Sequence, residues 1–309
     1  MPPVHLSRQL SLYNQFSTNA LQSQRGKQAQ LQEQMATGKR VNRASDDPNS
    51  FNKARQLEVL TKRYDQFDRS ITNSRGFATQ SQDQLQQLTE RMVEARDLGI
   101  RARNDSFSEQ ERQLMANEVR GIRDAVIGHL NSKHGNEYIF AGTNTTEQPF
   151  DAEGEPTADL SGERRRQIGP SLNDDPALDS NRMKINITGD EVLNVAGGGT
   201  IIEALDDLID VMEGTAPMED FDDILGAVDN ARDHLVDRAA QAGSIVERLS
   251  LAEDQLREST FTAEQQRSEL EDVDFYELAT DFQRTQASLQ ATLQMTSSTL
   301  QTTLLDFLR

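Results

Sequence analysis

Apolar and small side chains recur at steps of three and four over a long stretch that begins near residue 57. The positions are Leu57, Leu60, Tyr64, Phe67, Ile71, Ser74, Ala78, Ser81, Leu85, Leu88, Met92 and Ala95. An unbroken repeat of this kind is typical of a helix that packs along its whole length, as in a coiled coil. At 1.5 Å per residue, we expect a rod-like helix of roughly 60 Å.

The two ends of the chain have the same helical period but a weaker apolar content. Residues 4–36 are rich in glutamine, and many positions between Leu6, Leu10 and Leu31 are polar. The last segment carries the repeat at Phe275, Ala279, Phe282, Gln286, Leu289, Leu293, Thr296, Leu300, Leu304 and Phe307. A helix with so few apolar residues needs a partner. Two interpretations remain open: the two ends pair within one chain, or both become ordered on neighbouring subunits during assembly.

Two capping boxes mark the starts of further helices. Ser108 precedes Glu111 by three residues, and Thr200 stands in the same relation to a glutamate. We expect the first of these helices to end near residues 133–134, with Gly135 as its left-handed cap. A further long helix is predicted from Val228, Leu235, Ala239, Ala242, Val246, Leu249 and Leu256.

The helical period is lost between residues 136 and 199. The segments 137–142 and 182–188 are predicted as short strands, and the chain between them is rich in Gly, Pro, Asp and Asn. The predicted fold is therefore mainly α with a β-rich insertion. Because helices stand on both sides of the insertion, we expect the N- and C-terminal segments to form a long antiparallel bundle of coiled-coil type.

The break TGKRVNRASDDP, which follows the first helix, has two possible meanings. Its GKR resembles a phosphate-binding loop only faintly, because the first glycine is missing and an arginine replaces the magnesium-binding Ser or Thr. A structural corner explains the break better. Gly38 would end one helix in the left-handed conformation, and Asp47 with Pro48 would start the next. Its three basic residues are expected to form ion pairs with Asp46 and Asp47.

No other motif supports catalysis or cofactor binding. The segment AGGGT at 196–200 lacks the spacing of a dinucleotide site and is expected to be a turn into a capped helix. The histidines have neither zinc spacing nor a neighbouring nucleophile, and the acidic segments lack the ligand order of an EF-hand. The three arginines at 164–166 are expected in a solvated turn or in local ion pairs. We predict neither an enzyme nor a cofactor or metal site.

The charge of the chain is strongly negative and unevenly distributed. The formal net charge is −19, which argues against a nucleic acid partner. Residues 1–143 hold 20 basic and 16 acidic side chains, whereas residues 200–282 hold 5 basic and 23 acidic ones. Either the basic first part pairs with the acidic last part within one chain, or the acids form a solvated face that maintains solubility.

Three features bear on the compartment. The chain contains no cysteine, which excludes disulfides and thiolate metal sites. The opening MPPVHLSRQL lacks the apolar core of a secretory signal peptide. No stretch approaches the roughly 18 apolar residues that would span a membrane. We expect a protein that is soluble when made and that is exported, if at all, without a cleaved signal peptide.

Three segments together resemble a known family. TGKRVNRASDDP at 37–48 resembles the corner of flagellin-like proteins. NEYIFAGTNTTEQPF at 136–150 resembles more narrowly the flagellar hook–filament junction proteins, the third type of hook-associated protein. The sequence from residue 273 onward is similar to the paired terminal helix of the same superfamily. The opening departs from the family pattern, and the end lacks the Ala-Asn-Gln run of major flagellins, which favours a junction protein.

The resemblance implies a division into three parts. Residues 1–36 with 275–309 would be the terminal assembly helices, 37–135 with 200–274 a helical rod, and 136–199 a β-rich insertion. The implied subunit contacts are Leu6, Leu10, Leu289, Leu293, Leu300, Leu304 and Phe307. The implied corner is Gly38, Asp46, Asp47 and Pro48, and the family motif of the insertion is Tyr138, Phe140, Gly142, Pro149 and Phe150.

The implied function is structural. The chain would join the flagellar hook to the filament, in contact with other copies in a ring, with the preceding hook-associated junction protein and with flagellin. The alternative is a minor filament subunit of flagellin type. The resemblance also implies export through the flagellar type III channel, helped by an export chaperone, and a location outside the cell in the flagellum. Neither nucleic acid nor a membrane is an expected partner.

Overall fold

A computed structural model describes the backbone of residues 4–104, 107–171, 181–196 and 198–307, and within these ranges the side chains from residue 15 to residue 297. Long helices dominate this part of the chain, and the predicted mainly α fold is confirmed. The helices are α1 (Val4–Thr37), α2 (Pro48–Ala102), α3 (Glu109–Leu130), α4 (Gly189–Leu193), α5 (Ile201–Glu213), α6 (Phe221–Glu271) and α7 (Phe275–Phe307), with a 3₁₀ turn at Met218–Asp220.

Four short strands lie between α3 and α4 in the described residues. They are β1 (Lys133–His134) paired antiparallel with β2 (Glu137–Tyr138), and β3 (Arg165–Gln167) paired antiparallel with β4 (Arg182–Lys184). The strands predicted at 137–142 and 182–188 are therefore correct only over their first residues. The turn expected at 164–166 is wrong, because two of its arginines lie in β3, but the expected local ion pair exists between Arg165 and Glu163.

Helix α3 starts where the sequence predicts and ends earlier. The Ser108 hydroxyl accepts a hydrogen bond from Glu111 N, and the Glu111 carboxylate accepts one from Ser108 N. The helix ends at Leu130, so the predicted end near residues 133–134 is wrong. Gly135 does have the expected left-handed conformation, with φ +61°. It occupies the first turn position between β1 and β2, where a type II′ hairpin turn requires glycine.

The chain divides into two compact units. The terminal unit consists of Met1–Lys62 and Thr260–Arg309, and the central unit consists of Arg63–Ser259. Each unit therefore combines a segment from the first part of the chain with a segment from the last part.

The core of the central unit follows the predicted heptad positions. On α2, the predicted positions that are buried are Ile71, Ser74, Ala78, Ser81, Leu85, Leu88, Met92 and Ala95, and Phe77, Leu98 and Ala102 are buried as well. On α6 they include Val228, Leu235, Ala242, Leu249 and Leu256. Helix α3 packs on α5, whose Thr200 forms the second predicted capping box with Glu203. A fully buried Leu or Ile contributes about 1.5–3 kcal/mol of burial free energy, so this core is the main source of stability here.

Five ion pairs show how these helices are oriented within the central unit. They are Arg75–Glu253, Arg96–Asp229, Arg103–Asp222, Arg120–Glu213 and Arg123–Asp206. Residue numbers rise on α2 as they fall on α6, and they rise on α3 as they fall on α5, so both pairs are antiparallel. In every one of these pairs the base comes from the first part of the chain and the acid from the last part. This agrees with the interpretation of the charge distribution as internal pairing.

Candidate functional site

The break after α1 forms a corner that is hydrogen-bonded to the chain between α6 and α7. Gly38 has φ +71°, and its N–H donates to Gln34 O at 2.8 Å, as predicted for the left-handed end of a helix. A residue with a Cβ would be strained at this φ. The Arg40 N–H donates to Glu271 O at 2.6 Å, and the Val273 N–H donates to Gly38 O at 3.1 Å. The corner thus joins two segments that are far apart in sequence.

The side chain of Asp47 caps the start of α2, as predicted. Its Oδ1 accepts from the N–H groups of Asn49 and Ser50, both at 3.1 Å, and Pro48 begins the helix. The Ser50 hydroxyl donates to Oδ2 at 2.6 Å, and this bond, followed by the backbone N–H bonds, lowers the pKa of Asp47. Asp46 closes the preceding turn, because its Oδ2 accepts from the N–H groups of residues 42 and 43.

The basic residues of the corner pair mostly with acids outside it, which corrects the expectation of ion pairs with the two aspartates. Lys39 Nζ lies 2.6 Å from Glu271 Oε2, and Arg43 pairs with a glutamate of α1 at 2.9 Å. Only Arg40 approaches the capping aspartate, at 3.9 Å. The Glu271 residue is 8% exposed, whereas the Lys39 side chain is 45% exposed, so solvent screens this pair from the lysine side.

Helices α1 and α7 pack on each other in the terminal unit, and polar and apolar side chains are mixed between them. They are antiparallel, because the end of α1 lies beside the start of α7 at Gly38 and Val273. The partly or fully buried positions at heptad steps are Ser17, Leu21, Gln24, Gln28 and Leu31 on α1, and Leu278, Phe282, Thr285, Leu289, Thr292 and Thr296 on α7. Polar positions add little hydrophobic free energy, so this helix pair gains less from burial than α2 and α6 do in the central unit.

A second stripe of α7 is exposed. Phe275 is 59% exposed and Leu293 is 43% exposed, and Ala279 and Gln286 between them are exposed as well. These positions belong to the repeat predicted from the sequence, whereas Leu289 of that repeat is half-buried. Helix α7 therefore keeps apolar side chains that the described chain does not cover. The other predicted interface residues, Leu6, Leu10, Leu300, Leu304 and Phe307, lie outside the described side chains.

The insertion motif resembling the junction proteins lies largely in the core of the central unit. Phe140 and Phe150 are fully buried. Gly142 has φ +61°, and a Cβ at this position would lie 2.9 Å from Leu160 O. The close approach of two backbone segments therefore requires glycine. The motif acts through packing at these positions.

Asn131, the residue after α3, ties the motif to that helix. Its side-chain amide donates to Phe150 O at 3.0 Å and accepts from Phe150 N at 3.1 Å. Pro149 is buried, and its carbonyl accepts from Thr157 N at 2.9 Å. Tyr138 is half-buried, with the ammonium of a β1 lysine 4.3 Å from its ring centre. The sequence did not reveal Asn131, because its partner lies 19 residues away.

A charged side chain is buried between α2 and α6 in the central unit. The Glu253 side chain is 6% exposed and pairs with Arg75 of α2 and with Arg257 one turn later. Its position between Leu249 and Leu256 was a sequence signal, because a charge at a heptad core position needs a partner. The buried carboxylate depends on its partners for compensation, and Arg75 is the partner that α2 supplies, so this ion pair favours one register of α2 against α6.

The described residues contain no group of three or more His, Asp or Glu placed to hold a metal ion. Among the helices described here, none combines the length and apolarity needed to cross a bilayer. His129 Nδ1 lies 2.9 Å from Gln84 Oε1, and desolvation, followed by the charge of Arg91, lowers its pKa. His234 Nε2 lies 2.8 Å from Glu191 O. His234 is buried and His129 is half-buried, so both side chains serve in packing.

Two family models match the chain along its helical parts. The N-terminal helical region of bacterial flagellin matches residues 9–145, and the C-terminal helical region of bacterial flagellin matches residues 225–308. These matches comprise 137 and 84 of the 309 residues, well over half of the chain. The chain therefore belongs to the flagellin family.

Within this family, the predicted resemblance to the third type of hook-associated protein is confirmed. Flagellar hook-associated protein 3 of Escherichia coli (strain K12) is 31% identical over 177 residues, covering 55% of this chain and 51% of that protein. Flagellar hook-associated protein 3 of Salmonella typhimurium is 35% identical over 153 residues, covering 48% and 46%. The chain thus spans about half the length of these curated relatives.

A solved structure shares the fold. The flagellar junction protein FlgL from Legionella pneumophila superposes with a TM-score of 0.59, covering 71% of this chain and 100% of that chain. The two sequences are 13% identical in this comparison, so the likeness bears on the fold alone.

Proposed function

We propose that this chain is a structural, non-enzymatic adaptor that joins the flagellar hook to the flagellin filament. The observation that carries the proposal is its 31% and 35% identity to two hook-associated proteins of the third type. The mixed polar and apolar contact between α1 and α7 and the exposed stripe of α7 support a role in which neighbouring subunits complete the terminal helices.

The proposal assigns a separate task to each part of the chain. Residues 1–36 and 275–309 make the subunit contacts, through Leu6, Leu10, Leu289, Leu293, Leu300, Leu304 and Phe307. Residues 37–135 and 200–274 form the rod, whose geometry is held by Gly38, Asp46, Asp47 and Pro48. Residues 136–199 form the insertion. The hydrogen bonds of the corner and the buried insertion motif support the last two assignments.

The proposed partners are other copies of this chain in a ring, the preceding hook-associated protein on one side and flagellin on the other. The protein leaves the cell through the flagellar type III channel with the help of an export chaperone, and it acts outside the cell in the flagellum. Membership of the flagellin family supports this location.

Deletion of residues 290–309 tests the assembly role. The deleted segment lies outside the central unit, so we expect a truncated chain whose central unit is folded. Cells that carry only this truncated chain should build hooks, lack filaments and release unassembled flagellin. Electron microscopy of the cells and immunoblots of the medium measure these outcomes. Normal filaments on the truncated chain would overturn the proposal.

A matched pair of point variants refines this test. Leu293→Glu places a charge on the exposed apolar stripe, whereas Gln294→Glu places the same charge on a neighbouring exposed polar position. We expect the first variant to reduce the number of filaments per cell and the second to leave it unchanged. The alternative, a minor filament subunit, requires the purified protein to extend filament seeds by itself, which the adaptor should not do.

A further inference from the structure

A cavity of about 520 Å³ lies in the central unit between α2, the hairpin β1–β2 and the strand pair β3–β4. His134, Glu137, Arg164 and Arg166 line its polar side, and Phe77 lies on its apolar side. The proposed junction function does not use this cavity. Its volume lies within the range of sites that bind small organic molecules.

Arg164 is held firmly at the wall of this cavity. Its guanidinium carbon lies 4.7 Å from the ring centre of Phe77, and its Nη2 donates to Glu137 Oε2 at 2.8 Å. The side chain is 13% exposed, and its Nη1 is buried without a hydrogen-bond partner among the described residues. This atom has almost no accessible surface, so an acceptor in the cavity reaches it only when the guanidinium shifts slightly towards the cavity. Because a buried charged donor without an acceptor is destabilising, an acceptor there favours that shift.

The charge of the cavity favours an anion. Successive side chains alternate between the two faces of an extended segment, and both Arg164 and Arg166 line the cavity while Arg165 does not. Glu137 neutralises one of the two arginines, which leaves a net positive charge before His134 is counted. A carboxylate is the matching group, because its two oxygens accept from the parallel N–H groups of a guanidinium.

We propose that this cavity binds a carboxylate that accepts a hydrogen bond from Nη1 of Arg164, with Arg166 supplying a second positive charge. The carboxylate belongs either to a small free acid or to an acidic side chain of a second copy of this chain. The second source is suggested by the 23 acidic and 5 basic side chains of residues 200–282. The site does not depend on the junction function.

Titration of the full chain with sodium acetate at constant ionic strength tests this site. We expect saturable shifts of the Arg164 Nε–H and His134 ring resonances in nuclear magnetic resonance spectra. Arg165→Gln is the matched control, because Arg165 is exposed and pairs with Glu163 outside the cavity, and it should respond like the unaltered chain. Arg164→Gln should abolish the shift at His134. An equal response in Arg164→Gln would overturn the proposal.

Glu137→Gln provides a second test that leaves Arg164 in place. This substitution removes the carboxylate that already neutralises Arg164, so acetate should bind about fivefold more tightly. Circular dichroism checks that the variant is folded. Unchanged or weaker acetate binding in a folded Glu137→Gln chain would contradict the proposal.

Dilution of the protein distinguishes the two sources of the carboxylate. If a second copy supplies it, the His134 resonance moves with protein concentration in the absence of acetate, and added acetate reverses the change. If the ligand is a free acid, only acetate moves the resonance. Absence of both responses overturns the proposal.

Discussion

The central and terminal units use the same seven-residue period but differ in the side chains that lie between their helices. In the central unit, the inward positions of α2 include Leu85, Leu88 and Met92, all with no exposed surface. In the terminal unit, the inward positions include Gln28 of α1 and Thr292 of α7. The period determines which faces meet, and the apolar content determines how strongly they hold together.

This difference shows how one chain can contain both a part with a buried apolar core and parts that remain available to partners. The central unit buries the apolar side chains that lie between its helices. The terminal helices keep apolar side chains such as Phe275 and Leu293 in solvent, where a neighbouring subunit could cover them.

The largest expected effect is on the free energy of unfolding when one leucine in each unit is replaced by alanine. Leu88→Ala removes a fully buried side chain and should lower the free energy of unfolding by about 2–5 kcal/mol. Leu289→Ala removes a half-buried side chain and should cost less than about 1.5 kcal/mol. Urea denaturation followed by circular dichroism measures both. Equal losses of unfolding free energy in the two variants would contradict the proposed difference between the units.

The buried charge between α2 and α6 should give the next largest effect. Glu253→Gln leaves Arg75 without its ion pair, and because Arg75 is 38% exposed the expected loss is about 1–3 kcal/mol. The control Asp222→Asn breaks a pair with Arg103 in which both side chains are more than half exposed, and it should cost less than about 0.5 kcal/mol. Thermal denaturation of both variants measures the two losses of stability. A loss in Glu253→Gln no larger than the loss in the control would refute this assignment.

A smaller effect is expected at the corner of the terminal unit. Asp47→Ala removes the acceptor for the N–H groups of Asn49 and Ser50, so these amides should exchange about fivefold faster with deuterium. Asp47→Asn keeps a side-chain oxygen and should restore most of the protection. Because the pKa of Asp47 is lowered, the contribution of its carboxylate to the free energy of unfolding is complete above the ordinary carboxyl pKa and is lost as the pH falls through the lowered value. Identical exchange in all three chains would rule out a capping role.

The smallest effect concerns His129 in the central unit. Its pKa is lowered from 6.5 by desolvation and then by Arg91, so the unfolded chain takes up a proton at a higher pH than the folded chain. The contribution of neutral His129 to the free energy of unfolding should therefore be complete above pH 6.5 and decline as the pH falls from there towards the lowered pKa. The difference in urea midpoint between pH 7.5 and pH 5.5 should be smaller in His129→Gln. A titration that places the His129 pKa above 6.5 would contradict this.

Features with a local signal could be predicted from the sequence. The buried positions from Ile71 to Ala95, the capping boxes at Ser108 and Thr200 and the left-handed Gly38 each depend on residues within one or two helical turns. Such patterns remain visible in one sequence because the interacting residues are close together in it.

Features formed by distant residues could not be predicted in the same way. The ion pair between Lys39 and Glu271 joins residues that are 232 positions apart, so no pattern within a short stretch of the sequence predicts it. On α7, apolar character selects Leu293 for the repeat, yet Leu293 is exposed, whereas Thr285, which the repeat omits, is buried. Hydrophobicity does not predict the buried positions of α7 because α1 is itself polar and packs against threonine as well as leucine on the facing helix.

The ion pairs between the first and last parts of the chain bear on the order of events in folding. They join residues that are 83 to 232 positions apart, so each one closes a large loop, and such closures slow the search for the native state. If the chain is exported through the proposed channel one end at a time, the first residues of these ion pairs emerge before their partners. These contacts would then form only when the last part of the chain arrives, and they would not obstruct passage through the channel.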